Sequence, residues 1–69
     1  MDAHGRVAWF SKAFGYGFIR VTHPTSPDAF FHYSDLPAAA YRTIRAGASV
    51  QFRLAHTRLG PVAHLIQLV

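Results

Sequence analysis

Short runs of β-forming residues, separated by turn residues, make up the whole chain, and neither a helical period nor an internal repeat is present. The runs predict five strands, approximately at Arg6–Lys12, Tyr16–Thr22, Ala29–Tyr33, Ser49–Ala55 and Val62–Val69. Residues suited to turns occupy the breaks, namely Gly15, the loop from Pro24 to Pro27, the stretch from Ser34 to Ala48, and Gly60-Pro61.

A single segment, Pro37–Arg42, favours a helix, because alanine is a good helix former and proline is tolerated in a first turn. We expect one turn there. An open five-stranded sheet leaves costly unpaired edges, which closure into a partly open barrel largely removes. The pattern therefore predicts one all-β domain over residues 1–69, since a chain of this length leaves no room for a second.

The second predicted strand has two distinct faces. Period-two alternation places Tyr16 and Phe18 on one face and Ile19 and Val21 on the other. Because the two aliphatic side chains supply the core face, we expect Tyr16 and Phe18 to point outward.

The third predicted strand extends this aromatic surface. Phe30 and His32 share one face, whereas Phe31 and Tyr33 share the other, so one pair lies beside the outward rings of the second strand. Aromatic side chains of small proteins are more often core residues, and we accept that interpretation for Phe31. For Phe18 and Phe30 we favour exposure, because their strand neighbours already fill the inner face.

Exposed rings beside cations suit single-stranded nucleic acid. Every base has a π-face, and stacking on an aromatic side chain contributes roughly 1–3 kcal/mol per base. Seven Lys and Arg residues against three acidic residues give a net charge of +4, an excess that attracts polyanions. The cations available to this surface are Arg6, Lys12, Arg20 and Arg58.

Composition argues against several other functions. The chain has no cysteine, which removes disulfides and thiolate metal sites, and the five histidines are too dispersed for a compact metal site. No nucleophile, base and orienting acid can be assembled, so we expect neither an enzyme nor a cofactor. No apolar run is long enough for a membrane span, and no signal peptide core is present, so we expect a cytoplasmic protein.

Two segments carry a family resemblance. Gly5–Ile19 and Asp28–Ser34 together resemble the bacterial cold-shock domain. Its first motif is a Lys-Gly-Phe-Gly-Phe-Ile type stretch shortly after a Trp-Phe pair, and its second is a Val-Phe-Val-His-Phe type strand. Both occur here in the right order and spacing. The likeness continues through Ile44–Phe52 and Gly60–Ala63 and so covers essentially the whole chain.

The resemblance implies a five-stranded antiparallel OB-type barrel that binds single-stranded RNA or DNA, with a preference for pyrimidine-rich strands. It also implies a role as an RNA chaperone or in transcriptional or translational regulation. Phosphate contacts are expected from Lys12 and Arg58. The stacking and contact positions of the family fall on Trp9, Phe10, Tyr16, Phe18, Phe30, His32 and Tyr33.

The first strand holds one conflict with strict alternation. Val7 and Trp9 would share a face, although the family buries one and exposes the other, and a bulge or strong twist would reconcile them.

The sequence departs from the family pattern at several polar positions. Ala8 and Phe14 stand where lysines are usual, and both changes remove phosphate contacts. Ala55 and Leu59 replace polar or acidic residues, and Leu65 replaces an asparagine.

These apolar replacements leave a second function open. The exposed aromatic residues could instead bind a peptide or a second copy of the chain. A homodimer could form by strand exchange if the connection from Ser34 to Ala48 opened as a hinge, and the alternative is a monomer whose connection folds back over the barrel.

Overall fold

The computed structural model describes residues 1–69 and confirms the five predicted strands. They are β1 (Asp2–Ser11), β2 (Tyr16–His23), β3 (Ala29–His32), β4 (Ser49–Thr57) and β5 (Gly60–Leu68). A 3₁₀ turn at Tyr33–Asp35 and a short helix, α1 (Ala38–Thr43), lie between β3 and β4. Neither helical segment has the length and apolar character needed to cross a bilayer.

The strands close into a barrel in the order β1-β2-β3-β5-β4. The predicted antiparallel arrangement is right for four neighbouring pairs and wrong for the fifth, because β3 and β5 run parallel where Phe30 pairs with Val62. The cause is geometric. Directions cannot alternate all the way round a closed ring with an odd number of strands, so one neighbouring pair must be parallel.

Strand β1 begins at Asp2, earlier than the predicted start at Arg6. Residues Asp2 to Arg6 pair with β4, and the small residues Ala3 and Gly5 continue the inward alternation. A β-carbon on Gly5 would lie 2.3 Å from the backbone oxygen of Arg20, so only glycine lets β1 and β2 approach this closely. The composition of this segment is unlike that of a strand, which is why propensity missed it.

The core consists of aliphatic side chains and two phenyl rings, Phe31 and Phe52, and no polar side chain is buried. It confirms the predicted inward face of β2, with Ile19 and Val21 buried and Phe18 exposed. The thirteen residues of the core cluster are Ala3, Val7, Ile19, Val21, Ala29, Phe31, Leu36, Ile44, Val50, Phe52, Leu54, Ala63 and Ile66.

A bulge in β1 resolves the conflict between Val7 and Trp9. Val7 pairs with Ile19 and Trp9 pairs with Phe18, so β1 contributes one extra residue, Ala8, to this part of the ladder. The alternation of inward and outward side chains therefore shifts by one residue at the bulge, so that Val7 is buried while Trp9 is exposed.

The connection between β3 and β4 packs back onto the barrel. Leu36, Ala40 and Ile44 are buried, and the predicted helical turn is present as α1. The Gly47 N–H donates to the Val7 carbonyl at 2.7 Å, and the Val7 N–H donates to the Ala48 carbonyl at 2.9 Å. This segment is therefore an integral part of the fold.

The predicted break at Gly60-Pro61 is two residues too late. Arg58 and Leu59 form the turn, and β5 already begins at Gly60. Thr57 organises the turn, because its Oγ1 accepts from the Leu59 N–H at 3.2 Å and donates to the Gly60 carbonyl at 2.8 Å. Gly60 has a φ of 124°, a conformation that favours glycine and explains its place directly after the turn.

A second bulge interrupts β5. Arg53 pairs with His64 and Gln51 pairs with Gln67, so β5 carries one more residue than β4 between these pairs. Leu65 has a φ of 52°, in the left-handed region. Asp35 holds the bulge, since its carboxylate accepts from the Leu65 N–H at 3.4 Å and lies 3.2 Å from the His64 Nδ1.

Replacing Leu65 with asparagine is expected to raise the free energy of unfolding by about 1 kcal/mol, because asparagine tolerates left-handed backbone and leucine does not. Leu65 is largely exposed, so little apolar burial is lost. Urea unfolding measures the change. Leu59→Asn is the matched control, because Leu59 is fully exposed without a positive φ. Equal effects of the two substitutions would contradict the assigned strain.

Candidate functional site

Five aromatic rings gather on the outer surface of β1, β2 and β3. Alternation in β2 presents Tyr16 and Phe18, β3 presents Phe30 beside Phe18 in register, and the bulge in β1 turns Trp9 outward. The turn between β1 and β2 adds a fifth ring. We call this surface the aromatic face, and it comprises Trp9, Phe14, Tyr16, Phe18 and Phe30.

Tyr16 is the centre of the aromatic face. Its ring centroid lies 5.6 Å from those of Trp9 and Phe30, 6.0 Å from that of Phe14 and 6.5 Å from that of Phe18. Tyr16 is partly buried by these neighbours, whereas the other four rings are exposed. The arrangement is a continuous apolar surface with open ring area, on which planar ligands can stack.

Gly17 permits this surface to lie directly above the core. A β-carbon on Gly17 would lie 2.3 Å from the Trp9 carbonyl oxygen and 2.9 Å from the Phe31 ring. The glycine therefore brings the backbone of β1 and a core ring into contact with the same point of β2.

The structure separates Phe10 from the aromatic face. Its ring stacks on the core residue Phe31, with centroids 5.6 Å apart and planes at 16°, and meets Tyr41 edge-on at 5.8 Å. Tyr33 contacts Tyr41 at 5.8 Å and His32 at 4.5 Å. We call Phe10, Tyr41, Tyr33 and His32 the second aromatic cluster, which runs from the core to the surface. Phe10 lies at its inner end, against Phe31.

Tyr33 leaves the inward side predicted from alternation because β3 ends at His32 and a 3₁₀ turn begins. Its side chain is about half exposed, at 49%. Tyr33, which the resemblance places among the contact positions, is thus accessible to a ligand, although it belongs to the second aromatic cluster and not to the aromatic face.

His32 has a fixed ring orientation. Its Nδ1 accepts from the Ser34 N–H at 3.2 Å and lies 2.8 Å from the Ser34 Oγ. Since Nδ1 is an acceptor here, the neutral ring carries its proton on Nε2. The exposed imidazole therefore offers one N–H donor beside the edge of the aromatic face.

The two predicted phosphate contacts lie on different sides. Lys12 Nζ donates to the Arg42 carbonyl at 3.1 Å, and its own carbonyl accepts from the Tyr41 hydroxyl at 3.0 Å, which places Lys12 beside α1 and the second cluster. Arg58 lies in the β4–β5 turn next to Leu59. That turn borders a cleft of about 430 Å³ lined in part by Phe18, Phe30, Leu59 and Pro61.

Two further cations lie just before the bulge at Ala8. Arg6 and Arg20 are direct cross-strand partners, and like charges in such a pair repel. The Arg6 guanidinium donates to the Gly47 carbonyl at 2.9 Å, and Arg20 lies 4.0 Å from Asp28. Both are exposed on the side of the barrel that carries Phe18.

Each of the three aspartates has a basic side chain nearby. Asp2 lies 3.4 Å from Arg53, Asp28 lies 4.0 Å from Arg20, and Asp35 lies 3.2 Å from His64. Two of the three aspartates are thus close to an arginine, and the net charge of +4 attracts an anionic ligand.

Sequence reasoning missed three residues of this surface. Phe14 is one of the rings, and Leu59 and Pro61 line the adjoining cleft. Phe14 and Leu59 lie in turns, where no strand alternation predicts the direction of a side chain. The apolar character of Phe14 and Leu59 could have pointed to this surface, since the resemblance places polar groups at both positions.

Comparisons with known proteins agree with this arrangement. The family model described as the "'Cold-shock' DNA-binding domain" matches residues 3–69. A "Cold shock-like protein" of Aquifex aeolicus is 35% identical over 69 residues, covering 100% of this chain and 97% of that protein. "Cold shock protein ScoF" of Streptomyces coelicolor is 39% identical over 64 residues, covering 93% and 94%.

Two further comparisons cover parts of longer chains. "Cold shock-like protein CspD" of Escherichia coli is 48% identical over 48 residues, or 70% of this chain and 64% of that protein. The solved structure "drosophila Unr CSD456" has a TM-score of 0.79 at 22% identity, covering all of this chain and 27% of its own, and supports the fold alone.

Gly17→Ala is expected to lower the free energy of unfolding by about 1–3 kcal/mol, because the new methyl group overlaps the Trp9 carbonyl and the Phe31 ring. Thermal unfolding followed by circular dichroism measures the loss. Gly47→Ala provides a comparison in which the cost is backbone strain alone, since Gly47 has a φ of 90° and no atom within 4 Å of the added carbon. An unchanged stability of Gly17→Ala would contradict the close approach.

Proposed function

This chain belongs to the "cold-shock" DNA-binding domain family, and we propose that it binds single-stranded RNA or DNA by stacking bases on the aromatic face. The observation that carries the proposal is the contact of five rings on the outside of a barrel whose core is already filled. Exposing such an apolar surface to water is unfavourable in free energy, and stacked bases would cover it.

The surroundings of the rings suit the other parts of a nucleotide. Nε2 of His32 would donate to a base edge, and Arg6, Arg20 and Arg58 surround the face with cations for phosphates. Because stacking does not depend on base identity, we expect broad sequence tolerance. A preference for pyrimidine-rich strands would then come from the flexibility of the strand rather than from hydrogen bonds to particular bases.

Stacking on protein removes a base from pairing. A strand held on the aromatic face cannot at the same time form a duplex, so binding would shift RNA toward its unpaired state. This supports a role as an RNA chaperone or as a regulator of transcription or translation.

Self-association is the second candidate function, favoured by the full exposure of Leu59 beside the cleft of Phe18 and Phe30. The connection between β3 and β4 would have to release its hydrogen bonds to Val7 and Lys12 before strands could be exchanged. Light scattering coupled to gel filtration at micromolar concentration separates the candidates. A single species at the chain mass of 7.7 kDa would exclude the dimer.

Phe18→Ala, Phe30→Ala and His32→Ala are each expected to weaken binding of an unstructured oligopyrimidine, by roughly 1–3 kcal/mol for each lost ring. The fold should persist, because all three side chains lie outside the core cluster. Quenching of Trp9, the sole tryptophan, measures affinity, and circular dichroism measures folding.

His23→Ala is the matched control for His32→Ala, because His23 is exposed at the far end of β2 and pairs with His4. It should leave affinity unchanged. Absence of Trp9 quenching in the parent protein, or full affinity in all three variants, would refute the proposed binding surface.

A further inference from the structure

Phe14 is the most exposed ring of the aromatic face, at 70%, and no part of the core depends on it. Its ring lies almost parallel to that of Tyr16, with planes at 16° and centroids 6.0 Å apart. The resemblance places a lysine here, so this chain presents a flat apolar group where a phosphate contact is expected.

The turn that carries Phe14 is held firmly in place. The Phe14 N–H donates to the Ser11 Oγ at 3.1 Å, and the Gly15 N–H donates to the Ser11 carbonyl at 2.8 Å. The Gly15 carbonyl accepts from the Tyr33 N–H at 2.9 Å, which ties the turn to the end of β3. These bonds fix the backbone on both sides of the ring.

Gly15 is required for this arrangement. Its φ of 76° lies in the left-handed region, and a β-carbon at this position would lie 3.0 Å from the Tyr33 ring. The turn therefore packs against the second aromatic cluster on one side while Phe14 faces solvent on the other. A ring presented in this way loses little conformational entropy when a ligand stacks on it.

We propose that Phe14 forms an additional base-stacking subsite, which extends the aromatic face by one nucleotide beyond Tyr16. The near-parallel planes mean that a base on Phe14 would lie almost parallel to a base on Tyr16, so a strand could continue along the surface without a sharp turn. This inference rests on the proposed binding of single strands. It adds that this chain has exchanged an ionic contact for a stacking contact.

The exchange has a measurable signature in salt dependence. A lysine that neutralises a phosphate adds about 0.7 to the slope of log affinity against log salt for a single strand. A phenyl ring adds nothing to that slope. Binding through Phe14 should therefore contribute affinity that survives at high salt.

The test uses the full chain with oligothymidylates of about three to ten nucleotides, a range that brackets small site sizes of this kind of barrel. Phe14→Ala should lower affinity by roughly fivefold or more for the longer oligomers, with an unchanged salt slope. Its affinity should stop rising with length one nucleotide earlier than that of the parent. The melting temperature should change by no more than about 2–4 °C, because the side chain is exposed.

Three substitutions separate stacking from the alternatives. Phe14→Trp should retain affinity, and Phe14→Leu should lose it as alanine does, since leucine keeps apolar character without a π-face. Phe14→Lys should steepen the salt slope. Full affinity in Phe14→Leu, or equal affinity of Phe14→Ala and the parent at every length, would overturn the subsite. If the parent itself binds no oligothymidylate, the proposed function fails as well.

Discussion

The narrow interior of the closed barrel is the constraint from which the rest of the structure follows. Five strands enclose space for aliphatic side chains and two phenyl rings, Phe31 and Phe52, and the other aromatic residues of the first three strands lie outside this core cluster. Closure also makes β3 and β5 parallel neighbours, which brings Pro61 and Val62 beside Phe30 and forms the cleft at that end of the aromatic face. The exposed surface is thus a direct consequence of how little the core can hold.

Local irregularities in the strands set the direction of the side chains on the aromatic face. The bulge at Ala8 allows Val7 to point into the core and Trp9 to point away from it, although the two residues would share a face in a regular strand. Gly17 lets the backbone of Trp9 approach β2 above Phe31, and Gly15 lets the β1–β2 turn pack on Tyr33. A surface of closely packed rings therefore depends on two positions that have no side chain at all.

The aromatic face differs from the family pattern in its balance of apolar and charged side chains. Ala8 and Phe14 occupy positions where the family resemblance places lysines, while Arg6 and Arg20 form a cross-strand pair just before the bulge. Lys12 is engaged with α1, at the carbonyl of Arg42. Arg6, Arg20 and Arg58 lie at the periphery of the aromatic face, so that in the proposed complex the phosphates would follow the periphery while the bases stack on the rings.

The sequence alone predicts the five strands, the inward and outward faces of β2 and the family to which the chain belongs, because strand alternation and motif spacing are local properties of the chain. It predicted that Phe18 and Phe30 are exposed for the same reason. The tertiary structure determines the early start of β1, where Asp2 and Ala3 pair with β4 alone, and the parallel contact of β3 with β5, which closure imposes. It also decided that Phe10 packs on Phe31 and that Phe14 joins the aromatic face, since the direction of a side chain at a strand end or in a turn depends on what the barrel places beside it.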